Sequence, residues 1–188
     1  MKKAGFGYVL RLTVTLLLIA ALAALSLSSV DAITKERIAE NASQKIQQAM
    51  QLVLPGAEDL TQIDNGNGIV QAVYAPSETS PVQGYAVQVK PSSGFGGDIV
   101  MIVGIDAEGK VCGVDIVSHS ETPGLGAVAD AMTPAGQSFR DSFVGQSGTL
   151  TLEQIDAISG ATITSKAVTE GVNAALAYVA GMEKEGTQ

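Results

Sequence analysis

Ten residues concentrate the chemistry-bearing groups of this chain: Asp156-Ala157-Ile158-Ser159-Gly160-Ala161-Thr162-Ile163-Thr164-Ser165. They hold one carboxylate, four hydroxyls and a glycine, and a helix-forming run follows at once. Small residues and hydroxyls ahead of a helix N-terminus suit a phosphate. They offer free backbone N–H groups, the positive end of the helix dipole and no bulk in the way. Ser and Thr are also favoured helix caps whatever the function, so capping is the plainer reading. Capping needs only one hydroxyl, however, and leaves Gly160-Ala161 and the clustering unexplained. A phosphate site accounts for both, with the nature of the ligand open.

Two more loops carry unusual glycine spacing. Ser92-Ser93-Gly94-Phe95-Gly96-Gly97-Asp98 has three glycines in four residues, a sign of special torsions or of close approach by another group. No Gly-Lys-Ser/Thr follows, so it is not a nucleotide P-loop. His119-Ser120-Glu121-Thr122-Pro123-Gly124-Leu125-Gly126 reads as a tight loop bearing a carboxylate and a hydroxyl, or as an ordinary turn. Asp115, His119 and Glu121 share strand parity, but one histidine in the whole chain is poor support for a metal site, and no metal ligand is assigned. Cys112 is the sole cysteine, which excludes an intramolecular disulfide and any Cys-x-x-Cys, haem-attachment or iron–sulfur spacing. Redox chemistry here would need an organic cofactor or a partner's centre.

The elements that must hold these loops follow from periodicity. Residues 1–11 carry Lys2, Lys3 and Arg11. Residues 12–30 contain no charge, and nineteen helical residues rise about 29 Å, close to the ~30 Å hydrocarbon core. The basic flank predicts a cytoplasmic N-terminus with the bulk of the chain outside. A cleaved signal peptide is the competing reading. Val30-Asp31-Ala32 is a poor cleavage site and the apolar run is long, which favours a retained anchor. No cysteine follows the run, so a lipoprotein is excluded.

Residues 31–56 read as an amphipathic lead-in helix, with Ile38, Ala42, Ile46, Ala49 and Val53 on one face and Pro55-Gly56 as its stop. Residues 57–68 read as loop. Strands are predicted over 69–74, 84–90, 98–105 and 110–118, with 149–152 as a possible edge strand. Tyr85, Val87 and Val89 alternate as in a half-buried strand. Residues 105–110 form a hairpin turn with Gly109 left-handed. Cys112, Val114 and Ile116 are expected on one strand face, and Val111, Asp115 and His119 on the other. Short helical pieces are expected at 127–132 and 138–143. Thr164 or Ser165 is expected to cap a final helix reaching about Met182, with Val168, Val172, Ala175, Leu176 and Val179 inward and residues 183–188 as a frayed tail. The class is α+β: a membrane helix, then an antiparallel sheet of five or six strands with packed helices.

Composition narrows the partners. The first thirty residues hold three of the 11 basic residues and none of the 19 acidic ones, so the remainder carries a net charge of −11. With no tryptophan and 4% aromatics, that argues against nucleic acid or anionic lipid as a ligand of the folded part.

Asp156-x-x-Ser159-Gly160-Ala161-Thr162 resembles the flavin-attachment motif of the FMN-binding domain family, Asp-x-x-(Ser/Thr)-Gly-Ala-(Thr/Ser). Gly94-Phe95-Gly96-Gly97 is similar to that family's Gly-aromatic-Gly-Gly segment, and Glu121-Thr122-Pro123-Gly124-Leu125-Gly126 to the loop that lies against its isoalloxazine ring. With one N-terminal anchor, residues 5–182 are similar to the G-subunit family of Rnf electron-transport complexes. The C subunit of the sodium-pumping NADH:quinone reductase is a related but generally larger alternative. A stand-alone extracytoplasmic FMN carrier and a non-redox module are further ones.

The resemblance implies FMN joined through its phosphate to the Thr162 hydroxyl by a flavin transferase, over a domain of residues 57–182. It implies that Asp156 orients the phosphoryl group or binds a metal ion while the transferase acts, and that Ser159, Gly160 and Ala161 form the bend. Thr164 and Ser165 stand just behind, and Glu121, Thr122, Gly124, Leu125 and Gly126 form the ring site. It further implies an electron-relay subunit, not catalytic alone, in the inner membrane beside other subunits of a complex coupling ferredoxin:NAD electron transfer to Na⁺ or H⁺ movement.

Overall fold

The computed structural model describes residues 5–185. Two compact units divide the chain, Met1–Gln44 and Lys45–Gln188. Helix α1, Phe6–Val53, opens the chain and runs without a break past residues 30–31, where hydropathy sets the end of the membrane segment. In the first unit, Gly7–Asp31 is long and apolar enough to cross a membrane (25 residues, mean hydropathy 2.2). Its large side chains point outward, Leu16, Ile19 and Leu22 among them, as lipid-facing residues should. Four of its hydroxyls bond to carbonyls one turn back in the helix. Thr13 donates to Val9 O, Thr15 to Arg11 O, Ser26 to Leu22 O and Ser29 to Leu25 O, at 2.8–3.0 Å. Lys2 and Lys3 lie outside the described residues.

The second unit is an antiparallel meander of β1 (Thr61–Asp64), β2 (Val70–Ala75), β3 (Gly84–Val89), β4 (Val100–Asp106) and β5 (Val111–Ser118), paired in sequence order. Helix α2 (Pro134–Asp141) and helix α3 (Thr162–Glu185) follow, with a short 3₁₀ turn before each. Thr133 caps α2 by accepting from Gly136 N, and Pro134 occupies its first turn. The 105–110 turn is as predicted: Gly109 has φ +75°, and Asp106 Oδ1 accepts from Glu108 N and Lys110 N.

The sheet is covered on both faces. On one, Val87, Val89, Met101, Val103, Val114 and Ile116 meet Val168, Val172, Ala175, Leu176 and Val179 of α3, and Phe139 and Phe143 close the end edge-to-face. On the other, Ala49, Met50, Val53 and Leu54 pack on Ala86, Ile102 and Val117. The alternation of β3 therefore marks which residues face α3, while Ala86 is buried against the end of α1. Of the apolar face predicted on the lead-in helix, Ala49 and Val53 are buried and Ile46 is half-buried, while Ile38 and Ala42 are exposed.

Four expectations are corrected. β1 lies inside the stretch read as loop. It is too short and polar to show a period, and its tie to the core is Tyr178 of α3, whose hydroxyl donates to Asp64 Oδ2 at 2.9 Å and holds that carboxyl below its usual range. Residues 149–152 form no edge strand. Thr151 and Gln154 make a reciprocal capping pair that starts the 3₁₀ turn Leu152–Gln154. In β5 the register shifts between Gly104 and Ile105, which oppose Gly113 and Val111, leaving Cys112 as the extra residue. Val111 therefore joins Val114 and Ile116 under α3, and Cys112 packs on the α1 side, where burial and then the charge of Asp106 push its thiol pKa up. Finally, α3 extends to Glu185, so the described part of the predicted tail is helical.

Candidate functional site

The 156–165 stretch is a turn locked from inside. Ala161 N donates to Ile158 O, and Gly160 takes φ +77°, a torsion that L side chains rarely adopt. Helix α3 begins at Thr162, and Ser165 N donates to Ala161 O at 2.9 Å as its first full turn closes. Neither Thr164 nor Ser165 caps it, contrary to expectation, because both have partners elsewhere. Ser165, fully buried, accepts from Ile158 N at 3.1 Å and donates to Ala161 O at 3.0 Å, so it braces the bend itself. Thr164 donates to Glu121 Oε2 at 2.6 Å. The N–H groups of Thr162, Ile163 and Thr164 belong to the first helical turn, where no carbonyl four residues back lies within the helix. Thr162 is exposed there.

The other two glycine loops meet this turn. Together they line a cavity of about 330 Å³ with Phe95, Glu121, Thr122, Leu125, Gly126, Gly160, Ala161, Thr162, Ile163 and Thr164. No basic residue is among them. The 92–98 loop is tied to α3 by Ser93, which donates to Glu170, and its foot by the Lys90–Asp98 ion pair at 2.7 Å. Within it Gly97 supplies the torsion, φ +106°. Gly94 and Gly96 supply room, since a Cβ on Gly94 would stand 2.4 Å from Gly97 O and one on Gly96 2.0 Å from Ser120 O. Both meanings of the triple glycine thus occur in one loop.

Of the twelve residues singled out in the sequence, the cavity gathers eight: Glu121, Thr122, Leu125, Gly126, Gly160, Ala161, Thr162 and Thr164. Gly124 (φ +78°) shapes the loop from outside the wall, and Ser165 lies beneath the turn. Ser159 is exposed at the bend. Asp156 is exposed too and accepts from Ser138 of α2 at 2.9 Å, which fixes the start of the stretch to a neighbouring helix. Asp115, His119 and Glu121 do not converge. Asp115 faces Arg140 and Asp130, His119 Nε2 lies 3.7 Å from Asp130, and Glu121 turns into the cavity wall.

Two wall residues had no role from sequence, Phe95 and Ile163, respectively 69% and 50% exposed. With Leu125 they give the cavity an apolar rim. Phe95 had a signal in its flanking glycines. Ile163 had none, since its direction depends on the phase at which α3 starts.

A rim of Phe95, Leu125 and Ile163 suits a flat aromatic ring. An exposed hydroxyl on a helix's first turn, behind a left-handed glycine, suits a phosphate. That pairing fits a phosphate-bearing cofactor with a flat ring, and the FMN-binding domain family model matches residues 94–177. Along almost its whole length the chain is similar to the G subunit of the Na(+)-translocating ferredoxin:NAD(+) oxidoreductase complex of Acetobacterium woodii, with 34% identity over 94% of each chain. It is 32% identical to the G subunit of the ion-translocating oxidoreductase complex of Methanosarcina acetivorans, over 92% of this chain and 95% of that one. The G subunit of the proton-translocating ferredoxin:NAD(+) oxidoreductase complex of Clostridium ljungdahlii is 42% identical over 56% of this chain and 58% of its own. The chain belongs to the G-subunit family of ion-translocating oxidoreductase complexes.

Proposed function

We propose that this protein is a membrane-anchored electron-relay subunit carrying FMN in phosphodiester linkage to Thr162, within a ferredoxin:NAD oxidoreductase that drives Na⁺ or H⁺ translocation. One observation carries the reading. Thr162, an exposed hydroxyl on the first turn of α3, stands on the wall of the cavity that Phe95, Leu125 and Ile163 rim. Attachment would join Thr162 Oγ to the FMN phosphorus, its proton passing to a base on the transferase and the anhydride bond of an activated flavin nucleotide breaking as the other phosphate-bearing fragment leaves. Gly160 keeps the approach to that hydroxyl low, and Ser165 holds the bend. Asp156, presented at the surface by Ser138, is placed to meet the transferase rather than the ring.

Bound FMN supplies the electron chemistry, and the chain supplies position and polarity. The first-turn N–H groups and the dipole of α3 favour the phosphate by about 0.3–1 kcal/mol at an exposed site. That is a small return in a chain whose residues 31–188 carry a net charge of −11, and a covalent bond removes the dependence on it. The helix at Gly7–Asp31, with Arg11 in its first turns, anchors the protein with its N-terminus cytoplasmic and its FMN domain outside. The other subunits of the complex and the flavin transferase are its partners.

The test is co-expression with a flavin transferase, followed by denaturation, gel electrophoresis, ultraviolet imaging and intact mass. Wild type is expected to fluoresce with an FMN-sized adduct and Thr162→Ala to be dark. A dark wild-type band, or a Thr162→Ala band that still glows, overturns the assignment.

A further inference from the structure

Glu121 is a carboxylate 6% exposed to solvent, and the chain bends three segments around it. Oε1 accepts from Gly96 N at 2.9 Å, Oε2 accepts from Thr164 Oγ1 at 2.6 Å, and its own N–H donates to His119 Nδ1 at 3.1 Å. Glycines make the space. A Cβ on Gly94 would stand 2.7 Å from Oε1, one on Gly126 2.3 Å from Oε2, and one on Gly96 2.9 Å from the Glu121 nitrogen. These contacts join the 92–98 loop, the 119–126 loop and the first turn of α3, the three parts that wall the cavity. A buried carboxylate is tolerable only with its oxygens satisfied, and here both are.

We propose that Glu121 is the positioning residue of the site: a carboxylate clasp that sets the cavity's shape and places in its wall one negative charge with no Lys or Arg among the lining residues, lowering the reduction potential of the flavin. The clasp needs no ligand. The electrical consequence rests on the FMN reading above. Its sign follows from Coulomb's law in a poorly screened wall that no Lys or Arg lines, because an electron added to the ring meets a like charge. Glutamine at this position keeps an acceptor for Gly96 and a partner for Thr164 but removes the charge. Alanine removes all three.

Two measurements on the full chain in detergent test the two parts. The first is amide hydrogen exchange over residues 92–98 without any transferase. Glu121→Ala is expected to speed exchange at Gly96 at least about tenfold, with Glu121→Gln close to wild type. If Glu121→Ala does not fold, Thr164→Val takes its place, since it removes one hydroxyl and should also speed Gly96. Unchanged exchange in whichever of these folds overturns the clasp. The second is redox titration of flavin-loaded protein. Glu121→Gln should raise the potential by about 59 mV, a tenfold change for a one-electron couple. An unchanged or lower potential in a variant that binds flavin normally overturns the electrical role. A wild type that takes up no flavin overturns the FMN reading and this role together, and Gly96 exchange then still judges the clasp.

Discussion

The sheet's α1 side and the corner where the three glycine loops meet solve one geometric problem with opposite chemistry. On the α1 side, paired Gly104 and Gly113 leave a hollow into which the end of α1 presses. A Cβ on Gly104 would stand 2.3 Å from Val53 O, and one on Gly113 3.1 Å from Val53 Cα. At the corner, Gly94 and Gly126 leave a hollow that the Glu121 carboxylate enters, while the missing Cβ of Gly96 makes room for the backbone of Ser120 and Glu121. The first hollow is filled by the uncharged backbone and side chain of Val53, so its worth is packing. The second is filled by a charge with two donors, so its worth is polarity and precise placement. Glycine signals close approach in both places. Only the visitor tells scaffold from site.

This contrast can be broken by substitution. The largest stability loss is expected from Gly104→Ala, about 2–3 kcal/mol, because a backbone carbonyl cannot yield without lifting α1 from Ala86, Ile102 and Val117. Denaturant titration measures it, and the fraction that folds should still take flavin on Thr162. Gly126→Ala should cost less, about 1–2 kcal/mol, since its new methyl lands between Glu121 Oε2 and Thr164 Oγ1 and parts one hydrogen bond. Its main effect should be on the bound flavin's spectrum and potential. If Gly126→Ala unfolds the domain more than Gly104→Ala does, the corner is scaffold and the contrast fails.

The smallest effect sharpens the boundary between the two regions. Asp115 lies on β5 beside Val53, where burial first, and then the charge of Asp130, lift its pKa above the ordinary 3.8, with Arg140 opposing. A raised carboxyl pKa means that the native state holds the proton more tightly than the unfolded chain. The protonated group's contribution is full below the ordinary value and is lost as pH rises through the raised one. Asp115→Asn should therefore raise the melting temperature at neutral pH, by no more than about 2 °C at this half-exposed position. The gain should vanish on acidification below the ordinary carboxyl range. A gain that persists in acid would assign the effect to something other than the titration of Asp115.

Much of the scaffold was legible in the residues. Apolar alternation located β2 to β5 within a residue or two, and the 3.6-residue period located the inward face of α3. β1 was not legible because four largely exposed polar residues have no period. The face of Cys112 was misread because a bulge adds one residue, and parity beyond it inverts. The site was legible as three loops whose meeting the family resemblance implied, while the hydrogen bonds that join them were not legible from local rules. Thr164 and Ser165 show why. Local rules offer a hydroxyl at a helix start the role of cap, and both took long-range or inward partners instead.

By itself the sequence determined the apolar helix, the positions of strands β2 to β5, the bend at Gly160 and the hydroxyls clustered after it, because torsional limits and hydrophobic period act over a few neighbouring residues. The tertiary structure alone decided that Gly94, Gly96 and Gly126 surround one carboxylate, that Phe95 and Ile163 join the wall, and that Ser138 holds Asp156. The hydrogen bonds among those contacts link positions 18 to 43 residues apart. No local preference encodes them, and they exist only once the sheet has fixed where each loop ends.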